Sequence, residues 1–205
     1  MSKIEAVIFD VGGVLHKSFW GVMEDVGREL GLEWEALKKI WATEIPLLGS
    51  GKIDEAEFWK RVHADYAVRH VETDENLLGR AFREALTPYR EMAKLVRDLR
   101  AKGLKVAILS NTIEPHARAN RAAGVYDGFD HVLLSHEIGL RKQDPLIYWK
   151  ALQVLGVKPE AVIFIDDTVQ NVQAAQGLGI HGIHFNTPEQ AIVEVYNLIS
   201  EHGNS

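Results

Sequence analysis

Apolar and polar positions along the chain follow two rhythms. Five short β-branched runs, Ile4 to Phe9, Leu104 to Leu109, His131 to Leu134, Ala161 to Ile165 and Ile180 to Phe185, are largely apolar at successive positions. Strands apolar on both faces are those of a parallel sheet covered by helices on each side. Helical stretches separate the last four runs, so the order reads as βα units and predicts an α/β sheet. Thr87-Pro88, Glu114-Pro115, Asp144-Pro145 and Thr187-Pro188 each predict a helix start, because the first turn of a helix needs no N–H donor at proline. Gly103, after Arg100-Ala101-Lys102, predicts a helix stop.

Between about His16 and Leu86 the spacing is helical only. Val22, Val26 and Leu30 form one stripe; Leu37, Ile40 and Trp41 a second; Phe58, Trp59, Val62 and Tyr66 a third; Leu77, Leu78, Ala81 and Phe82 a fourth. Asp54 followed by Glu57 predicts a capping box at the third helix. Trp20, Trp34, Trp41 and Trp59 are expected to form the core of this small bundle. The chain therefore divides into an α/β core, residues 1–15 and 87–205, and a helical insert, residues 16–86.

Composition narrows the function. The 205 residues carry a formal net charge of −6, which disfavours a generic nucleic-acid binder. The chain has no cysteine, which removes disulfides, zinc–thiolate sites and thiol catalysis. No apolar run approaches the ~18 residues that would span a bilayer, and no signal-like segment precedes the first strand. The expectation is a cytoplasmic protein without membrane or nucleic-acid partners; whether it is a monomer or a homodimer is left open.

In an open parallel sheet, ligands bind beyond the carboxyl ends of the strands, where strand order reverses. The first run ends at Asp10, the second at Ser110-Asn111-Thr112 and the fourth at Asp166-Asp167, while Lys142 precedes the helix at Asp144-Pro145. Three acids brought together repel one another unless a cation sits among them. An all-oxygen donor set favours a hard ion such as Mg²⁺, which commonly bridges to phosphate. Ser110 can donate to a phosphate oxygen, with Asn111 beside it, and Lys142 can neutralise phosphate charge. The set fits phosphoryl transfer on a small phosphorylated substrate.

The quartet VIFDVGGVL (Val7 to Leu15), VAILSNT (Val106 to Thr112), GLRKQDPLIY (Gly139 to Tyr148) and VIFIDDTVQNV (Val162 to Val172) resembles the four signature motifs of the haloacid dehalogenase superfamily, in that family's order. The resemblance covers essentially the whole chain. It implies a Rossmann-like three-layer core, with the insert as a helical cap of the type-one subgroup. It further implies that Asp10 is the nucleophile, forming an aspartyl-phosphate, that Ser110 holds the transferring group and that Lys142 offsets its charge. Mg²⁺ would be held by Asp10, the main-chain carbonyl of Gly12, Asp166 and Asp167.

Gly12 departs from the pattern. Phosphatases of this family usually carry a second Asp there as general acid and base, help typically worth about 10²–10⁴-fold. His16, which can titrate near neutrality, is the candidate substitute. The leading expectation is therefore a weak Mg²⁺-dependent phosphatase. One rival is a 2-haloacid dehalogenase, whose chemistry uses the same first Asp without a metal, although family dehalogenases lack the paired acids of the fourth motif. Another is a catalytically feeble phosphate-binding or regulatory protein. Phosphonate hydrolysis would need a Schiff-base lysine, and nothing marks Lys38, Lys39 or Lys60 for it. Gly49-Ser50-Gly51-Lys52 lacks the Ser or Thr of a phosphate-binding loop, since Ile53 follows, and is read as a turn between helices. His181 and His184 lie three apart on a strand and face opposite ways.

Overall fold

A computed structural model describes residues 2–17, 20–66, 68 and 77–203. Five strands, β1 (Ala6–Phe9), β2 (Lys105–Ser110), β3 (His131–Leu134), β4 (Val162–Asp166) and β5 (His181–His184), form one sheet in the order β3-β2-β1-β4-β5. Every neighbouring pair is parallel. Each strand lies within a residue or two of its apolar run, because both faces need cover. Alternate residues of β1 go to opposite sides: Val7 and Phe9 join one apolar cluster, Ala6 and Ile8 the other.

Helices supply that cover. On one face α5 (Arg90–Ala101), α6 (Glu114–Ala122) and α10 (Pro188–Gly203) bury Met92, Leu95, Leu99, Ala117 and Val195 against the sheet. On the other, α8 (Leu146–Leu155) and α9 (Val169–Gln176) bury Ile147, Tyr148, Leu152 and Ala175. A one-turn helix, α7 (Ser135–Ile138), follows β3 directly.

The interval after β1 folds as α1 (Trp20–Leu30), α2 (Trp34–Leu48), α3 (Glu55–Asp65) and α4 (Leu77–Ala85), around an apolar cluster that includes Val26, Ile40, Phe58, Val62 and Leu78. Ile113, at the N-terminus of α6, belongs to the same cluster, so these helices sit on the sheet domain through α6. The chain leaves and returns side by side. Lys17 N–H donates to the Thr87 carbonyl and Tyr89 N–H to the Leu15 carbonyl, both at 2.9 Å.

That pairing corrects one expected helix start. Pro88 lies in an antiparallel bridge with His16, and α5 begins only at Arg90. The capping box is half formed. Asp54 accepts from Glu57 N–H at 2.8 Å, while the Glu57 carboxylate turns to Lys60 and Arg61. The tryptophan core is also corrected: Trp34 is 51% exposed on the first turn of α2, whereas Trp59 packs against the cluster. The side chain of Trp20 lies outside the described residues. The segment at Gly49 to Lys52 is a turn between α2 and α3, and it docks on the sheet domain. Ser135, fully buried, donates its hydroxyl to the Gly49 carbonyl and accepts from Thr112 N–H at 3.0 Å. A Cβ on Gly51 (φ 64°) would meet the His136 carbonyl oxygen at 2.3 Å, so this turn requires glycine.

Candidate active site

Strand order reverses between β1 and β4, the neighbours from which the sheet grows in opposite directions. Their register sets Phe9 beside Ile165, and Asp10 N–H continues the ladder to the Ile165 carbonyl at 2.9 Å. Asp10 and Asp166 therefore emerge side by side at the strand tips. Asp167 joins them: one carboxylate oxygen from each of the three lies within 4.8 Å of the others.

Gly13 explains how Asp167 fits. A Cβ there would fall 2.1 Å from the Asp167 Oδ2, and the residue takes a φ of 81°. Only a residue without a side chain lets the first-strand turn close over that carboxylate.

Lys142 sits beneath the cluster, buried, with Nζ 2.6 Å from Asp10 Oδ1 and 2.7 Å from Asp166 Oδ2. Burial works against its ammonium, but the two carboxylates outweigh it and hold the lysine pKa above its ordinary value. Burial pushes the Asp10 carboxyl up to about 7; Lys142 opposes the rise, while Asp166 and Asp167 add to it. Burial and then Asp166 also raise Asp167. Asp166 accepts from Thr168 N–H at 2.8 Å and from the Asn171 side chain at 3.0 Å. Three carboxylates against one ammonium leave an all-oxygen donor set short of positive charge, and a hard divalent cation fits it.

The remaining expected residues fall around this centre. Ser110 is buried at the tip of β2 and lines the same pocket, of about 230 Å³, as Asp10, Gly12, Lys142 and Asp167. Asn111 lines the pocket too, with both ends of its amide engaged. Its Oδ1 accepts from Lys142 N–H at 2.9 Å and its Nδ2 donates to Gln143 at 3.2 Å, so the amide holds the lysine loop. His16 is buried on the pocket wall, its Nδ1 3.0 Å from the Lys17 carbonyl. Burial lowers its pKa, which disfavours the protonated ring that the donor role expected of it would need.

Three residues were missed in the sequence. Asn171 and Thr168 fix Asp166, and the Tyr148 phenol lies 3.2 Å from the Lys142 carbonyl and 3.1 Å from that of Asn171, tying the lysine loop to α9. Asn171 lay inside the fourth motif, and its helical offset from the acids was the available signal. His184 uses Nε2 on the Asp167 carbonyl and His181 on that of Glu160.

Known proteins resemble this chain to different degrees. The sesquiterpene phosphatase astK of Aspergillus oryzae is 27% identical over 97% of this chain and 98% of its own length. The (S)-2-haloacid dehalogenase 4A of Burkholderia cepacia is 28% identical over 91% of this chain and 84% of its own. A haloacid dehalogenase family enzyme of Bacteroides thetaiotaomicron, solved in complex with magnesium and inorganic phosphate, superposes with a TM-score of 0.76. It is 24% identical, over 89% of this chain and 94% of that one, a likeness that speaks to the fold. The model of the haloacid dehalogenase-like hydrolases matches residues 4–179, a span that takes in β1, β2, β4 and all four motifs. With its acids at the tips of adjacent parallel strands, the chain belongs to the haloacid dehalogenase-like hydrolase family.

Proposed function

We propose that the protein is a Mg²⁺-dependent phosphoric monoester hydrolase, with α1 to α4 as a cap over the pocket. The observation that carries this reading is the meeting of Asp10, Asp166 and Asp167 around one point, with Lys142 supplying a single positive charge. Asp10, Asp166, Asp167 and the Gly12 carbonyl would hold the ion, which when bound offsets charge on the phosphoryl oxygens. Asp10 attacks phosphorus, the bond to the leaving oxygen breaks and an aspartyl-phosphate forms. Water then attacks phosphorus, releasing inorganic phosphate and restoring the carboxylate. Lys142 and Ser110 hold the transferring group, and Asn111, Gln143 and Tyr148 keep the lysine in place. Gly12 offers the leaving oxygen no proton, so esters of acidic alcohols should turn over faster than those of simple ones.

A second reading draws on the same glycine. Displacement of a halide by Asp10 needs no proton donor, and several relatives are 2-haloacid dehalogenases. Against it, paired acids suit a metal, and the pocket's lysine is already shared between two carboxylates. The test is release of phosphate from an aryl and an alkyl phosphate, with Mg²⁺ and with chelator, beside release of chloride from a 2-chloro acid. Mg²⁺-dependent phosphate release, faster from the aryl ester, supports the proposal. Metal-independent chloride release would establish the second reading, and no release in any arm would leave a binding protein.

A further inference from the structure

Trp41, Phe82 and His116 line the same pocket as the carboxylates. His116 stacks on Phe82 with ring centroids 4.3 Å apart, and Phe82 meets His16 edge-on at 5.5 Å. Behind this wall is a second, smaller cavity of about 40 Å³ within the helical insert. Apolar side chains such as Val26, Leu37, Ile40 and Leu78 enclose it, and Trp41 and His116 border both cavities. Its volume accommodates roughly one or two methyl groups, a water molecule occupying about 30 Å³ of liquid.

Charge on this side is equally one-sided. Lys142 is the cation among the described residues that line the main pocket, and it is already paired with Asp10 and Asp166. Burial pushes His116 down to about 3, so its ring stays neutral. Among the described lining residues a second phosphate or a carboxylate on the substrate would find no counter-charge, and would be desolvated beside carboxylates. A hydrocarbon group would instead displace water from aromatic faces and fill an apolar void.

We propose that the leaving group of the substrate is an uncharged hydrocarbon, packed on Trp41, Phe82 and His116 with its far end directed toward the apolar cavity of the insert. This rests on the phosphatase reading and narrows its substrate to apolar monophosphates. Each methylene taken from water strengthens binding about fourfold until the space is full.

The experiment is titration calorimetry with Mg²⁺ and a series of alkylphosphonates from methyl to hexyl, which bind without being turned over. The expected result is a Kd that falls about fourfold per methylene and then levels. Val26→Phe, which fills the small cavity, should weaken the longest ligands several-fold more than the shortest. A flat series, or tighter binding of phosphonoacetate than of the butyl compound, overturns the proposal whether or not the variant folds. The two readings fail separately. A protein that hydrolyses aryl phosphate but binds all the phosphonates alike refutes the hydrocarbon subsite alone; one that follows the series yet releases no phosphate refutes the hydrolase alone.

Discussion

Asp10→Asn keeps the shape of the central side chain and removes its charge, and the structure assigns that charge a cost. Without a metal, the Asp10 carboxyl is pushed from 3.8 to about 7, chiefly by burial. The folded protein therefore holds this proton more tightly than the unfolded chain does, and between the two values stability falls as pH rises. The contribution is fully present below about pH 4 and is lost as pH climbs through about 7. At about 1.4 kcal/mol per unit, the folded state has lost about 4 kcal/mol near pH 8, where Asp10 is ionised, and about 2 kcal/mol near pH 5, where the fold still holds the proton that the unfolded chain has released. The asparagine substitution removes that penalty, and its amide oxygen can still accept from Lys142, which keeps Asp166 as ionic partner. Urea denaturation in chelator should show the variant more stable than the wild type by about 2–4 kcal/mol near pH 8, and by less near pH 5. Mg²⁺ should narrow the gap, because it binds the wild-type folded state more tightly. Equal or lower stability of the variant near pH 8 in chelator would refute the reasoning. It would mean that Asp10 sits comfortably ionised beside Lys142.

Gly12→Asp should restore a proton donor. Positive φ in this turn belongs to Gly13, so the backbone angle at Gly12 does not itself demand glycine, and Mg²⁺-dependent hydrolysis of an alkyl phosphate should rise by about 10² or more. Gly13→Ala should do the opposite: its Cβ collides with Asp167 Oδ2, and calorimetry should show Mg²⁺ affinity falling by about tenfold or more. Ser135→Ala should strand the Gly49 carbonyl and Thr112 N–H, at a cost of about 1–3 kcal/mol in urea denaturation.

The sheet and its acids were legible because both leave a local mark. A strand buried on two faces must be apolar at successive positions, and an acid directly after such a run stands out, as Asp10 and Asp166 do. Lys142 had no mark of its own beyond the basic pair it shares with Arg141, and only the motif around it drew attention. Partnerships were harder to read. The residue type of Asn111 fits a phosphate ligand as well as it fits the clasp on the lysine loop, and its neighbour Gln143 is distant in sequence. Helical periodicity assigned faces but not neighbours, so Trp34 read as core although it begins its helix in solvent. Pro88 signalled a helix start, but the pairing of its segment with the outgoing chain is a tertiary contact that no local pattern carries.

The alignment of β1 on β4 works as a vernier for the chemistry. A slide of β4 by a single position would put Asp167 where Asp166 stands and aim the original acid at the opposite face of the sheet, dismantling the centre while the fold kept its outline. One residue inserted into either strand should thus be ruinous. Far longer additions between them, in the excursion after β1 above all, would leave the gauge unread and the acids aligned, giving this architecture freedom to exchange what covers its pocket while the teeth that cut stay fixed.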